Sequence, residues 1–171
     1  MTNNNIYFIA NWKMFGSVKS VNSLSKVISY SKIKKLKAKI IYCPPYTLIK
    51  SFVDKTKNSN IEIGAQDCHA QPNYGPFTGA ISSKMIKDLG GKFVIIGHSE
   101  TRVENNNKKI NLKIKSALNE KLNVILCIGE KLIDKNKNKT KYVLKKQLLE
   151  GLKKLRNLKK VIIAYEPVWS I

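Results

Sequence analysis

One carboxylate stands alone at the end of the last apolar run of the chain. The run Val161–Ala164 leads to Glu166, and a short segment of Pro167, Val168 and Trp169 follows it. Because an isolated buried carboxylate is destabilising, Glu166 needs a reason beyond packing. A Pro-x-Trp segment is stiff enough to act as the hinge of a moving loop, and a loop that excludes water would make Glu166 a competent base. The alternative is a structural ion pair with a lysine.

A histidine ends another apolar run. His98 follows Phe93–Gly97 and precedes Ser99 and Glu100, which are typical of the cap of a short helical turn. A lone histidine is more often a hydrogen-bonded core residue than a catalytic one, but the positive potential at a helix N-terminus favours the neutral ring. A neutral imidazole still donates a hydrogen bond, so His98 is a candidate to polarise a carbonyl oxygen. Ser99 has no Asp-backed histidine base to activate it and is not predicted to be a nucleophile.

A lysine follows the first apolar run. Lys13 comes directly after Asn11 and Trp12, and Met14 follows it. On its own, one lysine among many is a solvated surface charge. Its place at a strand end, between Trp12 and Met14, instead favours a cation that holds a phosphate or stabilises a developing oxyanion.

Short apolar runs alternate with amphipathic segments along the chain. The runs are typical of strands buried on both faces; they are Tyr7–Asn11, Lys39–Cys43, Ile61–Ala65, Phe93–Gly97, Val124–Ile128 and Val161–Tyr165. The segments with helical periodicity are Val18–Ile33, Leu48–Lys57, Ser82–Leu89, Lys109–Glu120 and Tyr142–Leu155. This alternation predicts parallel βα units in a single α/β domain over residues 1–171, with about six strands and about five helices. No Gly-x-Gly-x-x-Gly follows the first run, which disfavours a dinucleotide-binding sheet.

The composition argues against several classes of protein. The 171 residues carry a net charge of +21, almost all of it from lysine, as in the tract Lys135–Lys141. Nucleic-acid binding favours arginine with interleaved aromatic residues, so the lysine tracts are predicted to be solvated faces without a nucleic-acid partner. No apolar run approaches the ~20 residues that cross a membrane, and a cytoplasmic location is expected. Cys43, Cys68 and Cys127 lack C-x-x-C spacing, which predicts reduced thiols and no metal site.

Four short motifs stand in order along the chain: Asn-Trp-Lys-Met at 11–14, Gly-His-Ser-Glu at 97–100, Cys-Ile-Gly-Glu at 127–130 and Ala-Tyr-Glu-Pro-Val-Trp at 164–169. In this order and spacing they resemble the triosephosphate isomerase family, from the first strand to the last residue. The resemblance implies a (β/α)8 TIM barrel, here incomplete with about six parallel strands. It also implies a homodimer that interconverts dihydroxyacetone phosphate and D-glyceraldehyde 3-phosphate through an enediolate, without a cofactor, in glycolysis and gluconeogenesis.

The same resemblance implies a role for each motif. Glu166 is the implied base that takes a proton from the carbon beside the carbonyl, and His98 is the implied neutral electrophile; this pairing is established acid–base chemistry of the family. Lys13 is the implied cation facing phosphate and oxyanion, with Asn11 as its hydrogen-bonding neighbour and substrate contact. The implied supporting residues are Ser99, Glu100 and Cys127, and those of the dimer loop are Met14, Tyr74, Phe77 and Thr78.

The sequence departs from the family pattern in supporting residues and in length. Thr101 replaces a usual arginine, Ala80 replaces a common acidic residue, and Val103–Asn107 is shorter. Barrels of this class run to about 250 residues, so the end of the lid loop, the last two strands and their helices are expected to be missing, and residues 1–171 alone to be inactive. Two alternatives stay open: another phosphate-handling (β/α)8 enzyme, and a non-catalytic or fragmentary basic barrel protein.

Overall fold

The six predicted strands are present, and each begins and ends within one residue of its predicted bounds. The computed structural model describes residues 6–33 and 38–171. Its strands are β1 (Ile6–Asn11), β2 (Ala38–Cys43), β3 (Ile61–Ala65), β4 (Phe93–Ile96), β5 (Asn123–Ile128) and β6 (Val161–Tyr165). The agreement follows from the apolar runs, whose β-branched residues fit a pleated and buried surface.

The helices differ from the prediction in number and in several boundaries, most of all at the start of the first helix and at the end of the last, which ends at Gly151 where Leu155 was predicted. They are α1 (Leu24–Ile33), α2 (Ile49–Thr56), α3 (Ser83–Asp88), α4 (Ser99–Arg102), α5 (Asn107–Asn119), α6 (Leu132–Asn136) and α7 (Thr140–Gly151). Within the described residues, the prediction of about five helices therefore omitted α4 and α6, which are too short to show helical periodicity. None of the helices in these residues is long and apolar enough to cross a membrane.

The first helix begins later than predicted. Residues Val18–Ser23 form a 3₁₀ helix, and Val18 is exposed, although the helical pattern placed it inward. Serine side chains compete here for the backbone: Ser23 Oγ donates to Ser20 O at 2.7 Å, and Ser20 Oγ accepts from Ser17 N at 3.0 Å. Such local bonds favour tight turns over a regular α-helix, so the prediction was wrong at this end.

The first compact unit contains the described residues up to Gln66 together with Ile86–Phe93. Here β1 pairs with β2, and β2 with β3, all in parallel. The register brings Asn11 opposite Cys43, so the carboxyl ends of β1 and β2 are level. Trp12 N extends this ladder by donating to Cys43 O at 3.1 Å, and its ring packs edge-on against Phe52 with centroids 4.9 Å apart. The backbone and the ring of Trp12 are therefore both held in place directly before Lys13.

The second compact unit contains Asp67–Met85 and Val94–Ile171. Strand β5 pairs in parallel with β6 from Val124 opposite Val161 to Ile128 opposite Tyr165. Helix α5 buries Ile110, Ile114 and Ala117, as its spacing predicted. The assignment of residues 1–171 to a single domain stays a prediction.

The prediction that all six strands are buried on both faces is wrong at β1 and β6. Ile6 and Phe8 on β1 are exposed, and so are Ile163 and Tyr165 on β6. Within the described residues, β1 pairs with β2 and β6 pairs with β5, so each of these two strands has a partner on one side. Strands paired on one side leave an edge whose apolar residues and backbone groups can bind other chains.

Candidate active site

The ring of His98 caps the helix that follows it. Helix α4 begins at Ser99, and His98 Nδ1 accepts a hydrogen bond from Glu100 N at 3.3 Å. A helix cap was predicted here, but the capping group is the histidine and not Ser99. Because Nδ1 is the acceptor, the proton of the neutral ring lies on Nε2. The buried His98 therefore presents an N–H donor from Nε2.

Neighbouring residues before and after His98 hold its backbone in place. Thr101 Oγ1 donates to His98 O at 3.0 Å, so the threonine that replaces the family arginine still supports this residue. Arg102 Nη2 donates to Cys127 O at 2.9 Å, which links α4 to β5. Cys127, implied as a supporting residue, accepts this bond through its backbone carbonyl. Gly97 has φ +78°, where a side chain would be strained, and an added Cβ would lie 3.1 Å from Cys127 O.

Glu166 stands where the β5–β6 ladder ends. Its backbone N donates to Ile128 O at 2.8 Å, which continues the pairing by one residue. Its Oε2 lies 3.7 Å from His98 Nε2. That oxygen is buried and has no hydrogen-bond partner within the residues that the structure describes, while the side chain as a whole is 34 % exposed. An unsatisfied buried carboxylate oxygen is destabilising, so this arrangement points to a site prepared for a ligand.

Gly129 gives Glu166 the space for its backbone. An added Cβ at Gly129 would lie 1.9 Å from Glu166 O, so no other residue fits there without displacing Glu166. The side chain of Gln147 on α7 fixes Gly129 by two bonds, accepting from Gly129 N and donating to Gly129 O, each at 2.9 Å. Sequence reasoning identified Gly129 only as part of a motif and missed Gln147, because their contact joins residues 18 positions apart.

In the extended chain defined below, the Gly129→Ala variant is therefore expected to lower kcat by roughly ten- to a hundredfold, because small displacements of a catalytic group have effects of that size. Steady-state kinetics of this variant should be compared with Gly151→Ala, where the nearest atoms lie 3.9 Å from an added Cβ. The control is expected to keep its kcat. Equal kcat values for Gly129→Ala and the control would contradict the proposed role of this glycine.

The hinge segment after Glu166 is bound to a buried carboxylate, Glu130. The carboxylate accepts from Trp169 Nε1 at 2.9 Å and from Tyr165 OH at 3.2 Å, and Val168 N donates to Glu130 O at 3.0 Å. Glu130 is 1 % exposed. The predicted hinge thus leads into a 3₁₀ turn, Val168–Ser170, that Glu130 holds at two points, Trp169 Nε1 and Val168 N.

Hydrogen bonds hold the pKa of Glu130 below its ordinary value although the side chain is buried. Burial by itself raises the pKa of Glu130, but hydrogen bonds from Trp169, its own backbone, Tyr165 and Thr140 outweigh this, and the pKa lies below the ordinary 4.5. A lowered pKa means that the carboxylate stabilises the fold above its unfolded pKa and loses that contribution as the pH falls through the folded value. Sequence reasoning noted Glu130 as a polar residue after a strand but not as the anchor of the hinge.

Lys13 occupies a tight turn in the first compact unit. Its φ is +50°, in the left-handed region that non-glycine residues rarely adopt, and its N donates to Asn11 Oδ1 at 3.1 Å. Gln66 Nε2 donates to Lys13 O at 2.8 Å and to Cys43 O at 2.9 Å. Strained backbone of this kind persists where the surroundings enforce it, often at functional sites. Gln66 is a further residue that the sequence did not single out for this role.

The residues implied in a dimer loop are exposed. Met14 is 95 % exposed, and Tyr74, Phe77 and Thr78 are exposed as well. Phe77 packs against His69 with ring centroids 4.5 Å apart, which orders the loop that carries it. Exposed apolar side chains on an ordered loop are typical of an interaction surface.

Comparisons with known proteins all give one family. The family model described as triosephosphate isomerase matches residues 6–171. The curated triosephosphate isomerase of Dictyoglomus thermophilum is 43 % identical over 167 residues, covering 95 % of this chain and 66 % of its own length. That of Clostridium botulinum (strain ATCC 19397 / Type A) is 39 % identical over 165 residues, covering 94 % of this chain and 66 % of its own. The chain thus spans about two-thirds of the length of these relatives.

A solved structure supports the same assignment. The crystal structure of triosephosphate isomerase from Bartonella henselae matches with a TM-score of 0.90 and 35 % identity, covering 96 % of this chain and 69 % of that chain. The predicted fold class, a TIM barrel of which this chain holds six strands, is confirmed.

Proposed function

Because this chain belongs to the triosephosphate isomerase family, we propose that it carries the acid–base groups of an enzyme that interconverts dihydroxyacetone phosphate and D-glyceraldehyde 3-phosphate. One observation supports this most directly. The buried and unpartnered Oε2 of Glu166 lies 3.7 Å from His98 Nε2, within the part of the chain that the structure describes. A base and an N–H donor at this separation can act on neighbouring atoms of one small substrate.

The pair supports a proton transfer through an enediolate. Glu166 takes the proton from the carbon beside the carbonyl, and the electrons of that C–H bond form the double bond of the enediolate. The Nε2–H of His98 donates to the carbonyl oxygen and stabilises its developing negative charge. His98 gives its Nε2 proton to the former carbonyl oxygen and takes the hydroxyl proton from the other enediolate oxygen, so the ring ends neutral. Glu166 then delivers its proton to the former carbonyl carbon, which completes the exchange of aldehyde and ketone. The reaction needs no redox partner, and none is proposed.

For the remaining site residues the family resemblance supplies the roles. We propose that Lys13 is the cation for the substrate phosphate and that Asn11 orients it, since Asn11 Oδ1 holds the Lys13 backbone. We propose Ser99 and Glu100 as supports of His98, since the Glu100 N–H fixes the ring. No cofactor or metal takes part in this proposal.

The proposed assembly is a homodimer formed through Met14 and the loop of Tyr74, Phe77 and Thr78. Their exposure supports this proposal, because such side chains gain from burial against a second subunit. We further propose a cytoplasmic glycolytic enzyme without a nucleic-acid partner, since the positive charge lies mostly on lysines. Sedimentation of the extended chain defined below measures the monomer–dimer equilibrium. Phe77→Asp is expected to shift this equilibrium toward the monomer.

The activity is tested in an extended chain, residues 1–171 joined to the C-terminal third of the Dictyoglomus thermophilum relative. This protein is expected to convert dihydroxyacetone phosphate to glyceraldehyde 3-phosphate. His98→Gln is expected to lower kcat at least roughly tenfold with KM nearly unchanged, because the bond from Nε2 strengthens in the transition state. Glu120→Gln, at the C-terminal cap of α5 and away from the site, is the control and is expected to keep its kcat. An unchanged kcat for His98→Gln would remove His98 from the mechanism.

A further inference from the structure

The carboxyl end of strand β5 directs its backbone groups to two sides. Ile128 O faces β6, because it accepts from Glu166 N at 2.8 Å. In a parallel sheet, successive residues of a strand bond alternately to one neighbouring strand and to the other. The backbone groups of Cys127 and Gly129 therefore face away from β6, on the side where the strand order of the sheet has β4.

Strand β4 has already ended at this level of the sheet. Its last residue is Ile96, and Gly97, with φ +78°, leads the chain into the cap of α4. An added Cβ at Gly97 would lie 3.1 Å from Cys127 O, so the end of β4 stands beside this carbonyl. Cys127 and Gly129 are both buried, and buried backbone groups need hydrogen-bond partners. Beyond Gly97 these partners have to come from elsewhere.

Two side chains supply the bonds that a neighbouring strand would otherwise make. Arg102 Nη2 donates to Cys127 O at 2.9 Å. Gln147 Nε2 donates to Gly129 O, and Gln147 Oε1 accepts from Gly129 N, each at 2.9 Å. A primary amide has the N–H donor and the carbonyl acceptor of a peptide group. Gln147 can therefore satisfy both backbone groups of Gly129, as a strand would.

The two side chains also belong to one network of hydrogen bonds. Asn107 Oδ1 accepts from Arg102 Nη1 at 2.8 Å, and Asn107 Nδ2 donates to Glu150 Oε2 at 2.9 Å. Glu150 lies on α7, one turn after Gln147. The helix that carries Gln147 is thus linked to Arg102 on α4, the helix that His98 caps. A side chain on a supported helix holds its partner more precisely than one on a loop.

We propose that Gln147 is a positioning residue, which places the carboxylate of Glu166 by holding the end of β5. An added Cβ at Gly129 would lie 1.9 Å from Glu166 O, so the two backbones are in close contact. A shift of the Gly129 peptide therefore moves Glu166, whose Oε2 lies 3.7 Å from His98 Nε2. This inference rests on the proposed function, because it concerns the base of the same reaction.

Loss of the Gln147 amide is expected to affect turnover more than binding. Gln147→Met keeps a side chain of similar length and removes both bonds, so kcat should fall roughly ten- to thirtyfold while KM stays within about twofold. Gln147→Glu keeps the acceptor for Gly129 N but replaces the donor to Gly129 O by a second oxygen. It is expected to lower kcat at least roughly fivefold, the effect of one lost hydrogen bond.

The test uses the extended chain and two kinds of measurement. Steady-state kinetics with D-glyceraldehyde 3-phosphate give kcat and KM, and Lys146→Met, at the exposed neighbouring position on α7, is the matched control. Amide hydrogen exchange followed by NMR reports on Gly129 N–H and needs no turnover. In Gln147→Met we expect faster exchange at Gly129 and a displaced amide signal of Glu166. Lys146→Met is expected to match the parent in every measurement.

The outcomes separate this proposal from the proposed function. An unchanged kcat in Gln147→Glu or in Gln147→Met would overturn the proposal, as would an equal loss in Lys146→Met. A rise in KM at unchanged kcat would also overturn it, because Gln147 would then serve binding. If Gln147→Met does not fold, Gln147→Glu decides. If the extended chain has no isomerase activity, the proposed function fails, whereas the Gly129 and Glu166 amide signals still decide whether Gln147 positions this backbone.

Discussion

Replacing Glu166 by aspartate in the extended chain is expected to lower kcat by at least ~100-fold, since catalysis depends steeply on the placement of the reacting groups. The substitution withdraws the carboxylate by one methylene from its place 3.7 Å from His98 Nε2. The backbone cannot follow, because Glu166 N is bound to Ile128 O and the chain passes directly over Gly129. The base keeps its chemistry and loses its position.

Steady-state kinetics separate this loss from a change in binding. KM is expected to stay near its starting value, because the carboxylate acts mainly in the transition state. Glu120→Asp, at the C-terminal cap of α5, makes the same change away from the site and should leave kcat unaltered. A Glu166→Asp enzyme within tenfold of the parent kcat would exclude Glu166 as the base.

The polypeptide of residues 1–171 by itself is expected to show turnover at least ~1000-fold below the extended chain, from the combined loss of the backbone donors and the lid that the family resemblance places in the remaining third. The shorter polypeptide is also expected to aggregate, because strands β1 and β6 expose apolar residues: Ile6, Phe8, Ile163 and Tyr165. Water screens the site electrostatically when no lid covers it, and open strand edges favour association.

This expectation is checked by four measurements on the two proteins in parallel. The shorter polypeptide should bind ANS, give weak near-UV circular dichroism, elute as aggregates and lack activity. Monodisperse protein with activity within tenfold of the extended chain would contradict the account. Such a result would indicate that copies of the chain pair their exposed strands with one another.

The sequence predicted those features that depend on local pattern. The strands were found because apolar β-branched runs determine them almost alone. The sequence also places Lys13, His98 and Glu166 after strands, whereas their roles come from the family resemblance and stay a proposal. The 3₁₀ start at Val18–Ser23 was missed, since serine bonds to the backbone leave the helical spacing of apolar residues intact.

Contacts between distant parts of the chain could not be predicted in the same way. Gln147 holds Gly129, and Glu130 holds Trp169 across 39 positions. Neither contact leaves a periodic or compositional trace. Lys135 is exposed, as the predicted solvated face requires, but the contact of its ammonium with the Trp169 ring, 3.3 Å from the ring centroid, has no signal in the sequence either. Gln66 also bonds a residue 53 positions away.

The central claim, that Glu166 moves a proton through an enediolate while His98 donates to its oxygen, is tested most directly by isomerisation in D2O. The extended chain is given glyceraldehyde 3-phosphate, and the dihydroxyacetone phosphate formed is examined by proton NMR. A carboxylate that exchanges its proton with solvent predicts deuterium at the hydroxymethyl carbon of the product, with both turnover and labelling lost in Glu166→Gln. Normal turnover by Glu166→Gln, with only protium at that carbon, would show that the hydrogen does not pass through Glu166 and would contradict the mechanism.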